Sequence, residues 1–205
     1  MHKFTRGAPP AEMAKIKEKF HNQWDEAFLK SDAHTAISNC LYERQNFHCA
    51  YCDVKISTQD AGHVEHLERR SDNSQRAFDW DNLFFSCNHT DSCGKYKDEH
   101  KPKPEFNPAD IIDPSKEDPL DFLQFDMNGG VSAKDDAHRH RADETIRVFH
   151  LDSGRLNGIR RGIAQSIGYF LQHDPSETEI RDFLQFMSTN NCPSVCDSLL
   201  RERMA

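Results

Sequence analysis

No stretch of this 205-residue chain is apolar over the ~20 residues that a membrane-spanning helix needs. The opening "MHKFTRGAPP" lacks the apolar centre of a secretory leader, so a cytosolic protein without membrane contact is expected. A basic excess is missing too: 26 Lys and Arg against 34 Asp and Glu leave a net charge of −8. Proteins that hold nucleic acid by phosphate neutralisation alone present a basic face, and this balance argues against such a free-standing binder. Basic residues gather only locally, at Arg69, Arg70 and Arg76, at Lys95, Lys97, Lys101 and Lys103, and at Arg139, Arg141, Arg147, Arg155, Arg160 and Arg161. Solvated helix faces are the ordinary reading of each group. Affinity for nucleic acid would then come from a local groove or a partner. Internal repeats and low-complexity tracts are also absent.

What is present is a polar globular sequence, 36% hydrophobic and 29% charged, long enough to bury a core. Met13, Ile16, Phe20, Trp24 and Phe28 recur at helical spacing and predict one apolar face about four turns long. A second helix is expected over 33–46. Prolines at 102, 104, 108, 114 and 119 mark an irregular connection. "FLQFDMNGGVSA" alternates like strand around Asn128-Gly129, a hairpin signal. Leu156, Ile159, Ile163, Ile167 and Phe170 predict a helix from Gly154. Ser176 and Glu179 form a capping box for another that carries Ile180, Phe183, Leu184 and Met187.

The middle of the chain is rich in cysteine. Cys49 and Cys52 stand two residues apart in "FHCAYCD", and Cys87 and Cys93 follow in "FSCNHTDSCGKYK". Two short turns that each aim a pair of thiolates at one point suit tetrahedral Zn²⁺, and a four-ligand site of that kind is structural. The bland alternative is four ordinary buried cysteines. In a cytosolic chain, paired cysteines around a polar segment favour the metal, which would supply folding energy where apolar sequence is scarce. The second pair has five intervening residues rather than two, and His89 inside that loop could replace one cysteine. Cys192 and Cys196 read as free thiols near a flexible end, and Cys40 as a core residue on a helix.

Between the cysteine pairs lie "GHVEH" at 62–66 and "FDWDNLFFSC", with Glu65-His66 and then Asn82. In this cysteine frame the pattern resembles an HNH endonuclease. The resemblance is strongest over residues 49–98 and implies a ββα-metal fold. A hairpin and a helix there hold a catalytic divalent ion, Mg²⁺ or Mn²⁺, over a structural zinc. Phosphodiester hydrolysis needs a base for water and a cation for the charge that develops on oxygen. Imidazole suits the first task, and a carboxylate holding a hard ion suits the second. By the family pattern His66 is the base, Glu65 a ligand of the catalytic ion, and Asn82 the residue that ties the loop and orients His66. The family's lysine is present as Lys97, whereas its last ligand is replaced by Gly94. Asp98, one turn on, and His89 are the candidate replacements, with Asn88 also in reach. The alternative is that Gly94 leaves the ion with an extra water. His63 shares a strand face with Glu65, opposite His66; an exposed surface histidine is its expected reading, ahead of one that assists the metal or the phosphate.

Weaker similarities, in "TRGAPP", "IIDPSKEDP" and "ETIRVFHLDSGRLNGIRR", resemble the PtuB-like HNH proteins of Septu and retron anti-phage defence. That resemblance implies a PtuA-like ATPase as partner, with a retron reverse transcriptase and its DNA–RNA product as further associates. DNA or tRNA would be the substrate. The expected architecture is α+β: a small zinc-stabilised ββα-metal module at 47–100, embedded in a mostly helical chain. Residues 1–46 form an N-terminal helical segment, and 101–205 a hairpin and helical region for partner docking. Two readings compete with the nuclease: a zinc-stabilised adaptor that has lost catalysis, which Gly94 favours, and a zinc module that binds nucleic acid without cutting.

Overall fold

The protein is described by a computed structural model, which covers residues 1–20, 23–187, 189–190 and 192–204, with the side chains of residues 15, 17 and 201–204 outside the description. A 3-10 turn, Ala11–Lys15, leads into α1 (Ile16–Phe20). The single helix expected through Trp24 and Phe28 is not formed. Gln23 and Trp24 are non-helical, and Asp25 opens a separate short α2 (Glu26–Leu29) by accepting the Phe28 N–H at 2.9 Å. The apolar spacing is real, but an N-cap inside it restarts the helix. Residues 21 and 22 of the expected helix lie outside the described residues. Ser31 then caps α3 (Asp32–Arg44), close to its expected bounds.

The centre is a two-stranded antiparallel pair, β1 (Gly62–His66) and β2 (Leu83–Cys87), in which Gly62 lies opposite Cys87 and His66 opposite Leu83. The short α4 (Cys93–Glu99) follows and packs on β2. A second antiparallel pair, β3 (Leu123–Phe125) and β4 (Val131–Ala133), turns at the predicted Asn128-Gly129, where Gly129 takes φ +82°. Four helices complete the chain: α5 (Arg139–Phe149), α6 (Gly154–Leu171), α7 (Glu177–Met187) and α8 (Pro193–Met204). The capping box forms as read, with Ser176 N–H on Glu179 Oε2 at 2.8 Å and Glu179 N–H on Ser176 Oγ at 3.3 Å. The fold is thus α+β, about half helical with two small antiparallel sheets. No described helix is long and apolar enough to cross a membrane.

One apolar cluster runs from Met1 to Leu156 and joins residues of the N-terminal helices, the cysteine-rich middle and α5. Phe28, Phe84, Phe85 and Phe149 are fully buried in it, each worth ~1.5–3 kcal/mol of transfer free energy. Two clamps fasten β2 to the rest. Arg6 lies 4.2 Å over the Phe84 ring and donates to the carbonyls of Trp80 (2.7 Å) and Leu83. Gln45 acts as a surrogate strand: its Nε2 donates to Phe85 O at 2.8 Å while its Oε1 accepts Phe85 N–H at 2.8 Å. Ala50 N–H also reaches Phe85 O, which ties the first cysteine turn to the sheet.

Cys192 and Cys196 are free thiols as read, but they lie in the interior. Each is 1% exposed in satellite cores around α8, and burial pushes both thiols up to about 12. Cys40 is half-buried on α3 rather than in the core.

Candidate metal centre

The four cysteines of the middle region come together. The Sγ atoms of Cys49, Cys52, Cys87 and Cys93 all lie within 4.8 Å of one another, and all four residues are buried. Sulfurs bound tetrahedrally at about 2.3 Å from zinc would stand about 3.8 Å apart. The Cys52–Cys87 pair is already at 3.9 Å. This donor set fits a structural metal such as zinc.

The five-residue gap before Cys93 is closed by the helices that follow. Arg155, in the first turn of α6, grips both oxygens of Asp91 at 3.0 and 3.1 Å and donates to Ser92 Oγ at 2.7 Å. The ring Nδ1 of His150, at the end of α5, sits 2.7 Å from Asp91 O. Cys93 itself starts α4 in a left-handed conformation, φ +61°. With the loop held this way all four sulfurs converge, and His89 stays exposed on it, outside the thiol cluster. His89 therefore replaces no cysteine.

Glu65 is 3% exposed and lies between His63 and α4. A Cβ at Gly94 would fall 2.6 Å from Glu65 Oε2, so glycine there leaves the room this carboxylate occupies. The other oxygen, Oε1, is 2.9 Å from Nζ of the fully buried Lys97, an ion pair out of line for a hydrogen bond, and Oε1 has no hydrogen-bond partner. Burial opposes the charged form, but the Lys97 ammonium and His63 outweigh it and hold the Glu65 carboxyl down at about 2.

Asp98 does not join Glu65 around a common point. Its Oδ1 accepts Lys97 Nζ at 2.7 Å and Arg69 Nε at 3.0 Å, so an ammonium bridges the two carboxylates. Burial and the Glu65 charge raise the Asp98 pKa. Among the described residues, Glu65, Asp98 and His89 form no common metal-sized cluster. The reason is local: helix spacing brings Asp98 to the far side of Lys97, and the widened loop carries His89 out to solvent.

His63 enters this cluster instead of standing exposed. Its side chain is 27% exposed, its Nδ1 is 2.9 Å from Asn88 Oδ1, and its Nε2 is 3.5 Å from Glu65 Oε2. Burial works against its protonation, yet the Glu65 carboxylate raises its pKa overall. Strand alternation, which puts residues 63 and 65 on one face, was the signal available in the sequence.

His66 leaves the other face of β1. It is 6% exposed, its Nε2 lies 2.9 Å from Ala77 O, and the Trp24 ring covers it edge-on at 4.4 Å. A carbonyl accepts only, so Nε2 carries the proton and Nδ1 the lone pair. Burial lowers the imidazole to about 4 despite that bond, so it is neutral near pH 7 and a weaker base than free imidazole. Asn82, 1% exposed, accepts Glu68 N–H at 2.8 Å and donates to the carbonyls of Glu68 (3.1 Å) and Arg76 (3.2 Å). It thereby ties both ends of the loop that presents Ala77 to His66. A cleft of ≈ 530 Å³, lined by Trp24, His34, Gln59, Asp60, His63 and Val64, opens along β1.

The chain matches no known family model, and no curated protein matches it as a relative.

Proposed function

We propose that this protein is a zinc-stabilised, divalent-metal-dependent HNH endonuclease that hydrolyses phosphodiester bonds in nucleic acid. One observation carries the reading: an antiparallel pair and a following helix, joined by four clustered thiols, hold a buried carboxylate and a loop-anchored neutral imidazole at consecutive positions. Glu65 offers an anionic oxygen for Mg²⁺ or Mn²⁺, which when bound supplies charge stabilisation on the phosphate and leaving oxygen. His66 is held in one tautomer by Ala77 O, and its free Nδ1 takes a proton from water. Asn82 fixes the loop and so the ring. Gly94 is no loss of function in this reading, since it makes room for Glu65.

The biological setting proposed is that of an anti-phage effector, active with a PtuA-like ATPase. The acidic chain supports a partner that supplies basic surface.

A second reading, the inactive adaptor, is favoured by Lys97. Its ammonium compensates Glu65 without any metal, and Trp24 covers His66. Cleavage of plasmid DNA and total tRNA in Mg²⁺ or Mn²⁺, with and without the ATPase, separates the two. Cutting that disappears in His66→Ala supports the nuclease. No cutting by zinc-loaded protein with its partner present supports the adaptor.

A further inference from the structure

Two hydrogen bonds decide how His63 is used. The Asn88 amide donates through Nδ2 to the carbonyls of Asp60 (2.9 Å) and Gly62 (3.4 Å). That fixes which end of the amide is oxygen, so Oδ1 faces His63 and accepts its Nδ1–H at 2.9 Å. In the neutral ring the remaining nitrogen, Nε2, then points its lone pair at Glu65 Oε2, 3.5 Å away. A proton on Nε2 would bridge this pair, but 3.5 Å is long for a direct hydrogen bond and is a separation that an intervening divalent ion spans. The same carboxylate is nearly fully buried, and Lys97 compensates it from the Oε1 side, which leaves Oε2 facing His63.

We infer that His63, and not Asp98 or His89, is the second protein ligand of the divalent ion, binding through Nε2 opposite Glu65 Oε2 with Asn88 as its orienting partner. This rests on the proposed role of Glu65 as a metal ligand and completes the set that the glycine at 94 leaves short. Neighbouring ligands of an octahedral ion at about 2.1 Å stand about 3 Å apart, so the 3.5 Å gap closes with a small ring rotation. A histidine whose second nitrogen donates to a fixed oxygen is the usual arrangement of an imidazole ligand, which is thereby held in tautomer and orientation. Lys97 stands on the opposite oxygen, Oε1, and leaves the Oε2 side to the metal. A mixed nitrogen and oxygen set shifts preference from Mg²⁺ toward first-row transition ions.

The test is Mn²⁺ binding to untagged, zinc-loaded protein, followed by electron paramagnetic resonance with spin-echo detection of ¹⁴N on the bound ion. Wild type is expected to bind one Mn²⁺, resist displacement by equimolar Mg²⁺, and show an imidazole ¹⁴N modulation. The modulation should vanish in His63→Ala and in His63→Gln, with affinity at least tenfold weaker, and persist in Asp98→Asn and His89→Ala. Zinc content and circular dichroism of each variant show that it has folded. Modulation that survives both His63 variants would overturn the assignment and point to another ring. Mn²⁺ that binds, is lost in Glu65→Gln and shows no ¹⁴N would sink the role of His63 while leaving the metal-dependent reading intact. No Mn²⁺ binding to wild type would remove both.

Discussion

Glu65 and Gly94 share one volume: the carboxylate of the first lies where a side chain on the second would begin. The glycine is therefore a steric requirement of the buried acid. Gly94→Ala should push Glu65 from its place beside Lys97 and cost about 1–3 kcal/mol, as overpacking of a filled interior does. Urea unfolding of the zinc-loaded variant measures this. Unchanged stability would mean that the carboxylate swings aside freely.

Lys97 is fully buried and pairs with Glu65 and Asp98. Lys97→Met removes the positive partner and leaves a buried carboxylate uncompensated, at a cost on the order of 3–5 kcal/mol. Added Mn²⁺ should raise the melting temperature of this variant more than that of wild type, because binding to the folded state stabilises it. Equal shifts would show that lysine and metal do not compensate the same charge.

Zinc removal has a local and a remote component. Cys52→Ser should lose the metal and the cooperative melting of the middle region, as chelator does. Full zinc content with unaltered melting would refute the four-thiol site. Arg155→Ala should keep the metal but release it to chelator several-fold faster, since Asp91 then no longer fastens the loop before Cys93. Stopped-flow transfer of zinc to a chromogenic chelator reports the rate.

The histidines of β1 should titrate apart. His66 is lowered from 6.5 to about 4 by burial, and His63 is raised by Glu65. With a depressed folded value, His66 contributes stability that is present above pH 6.5 and is lost as pH falls towards 4, where protonation favours the unfolded chain. Ring-proton NMR across pH 4–8 resolves both. Opening the aromatic cover with Trp24→Ala should move His66 back up towards 6.5, and a ring that stays near 4 would place the cause elsewhere.

Much of the cysteine frame was legible because short turns and ligand chemistry act locally. Cys49 and Cys52 need only a knuckle, and Asn128-Gly129 needs only a turn. The helix through Trp24 was misread since periodicity is blind to an N-cap: Asp25 sits within the apolar spacing and restarts the chain. Helices α5 and α8 have no counterpart in the pattern analysis. Their residues pack on partners distant in sequence, as His150 at the end of α5 does on Asp91 and Ser198 of α8 does on Phe125, and such contacts leave no periodic trace. His63 was underrated for a related reason. Its role depends on Asn88, 25 residues away, whose amide orientation only the assembled loop fixes.

The clamps on β2 also decide how this molecule can meet others. Arg6 takes the outward carbonyl of Leu83, and Gln45 with Ala50 takes both outward groups of Phe85. An unpaired strand edge is a template for another chain, both for aggregation and for peptide addition. Here that edge is already spent on the protein's own side chains. A partner or a nucleic acid must approach through helix faces, loops or the cleft along β1, and the central hairpin cannot be extended from β2 by a borrowed strand.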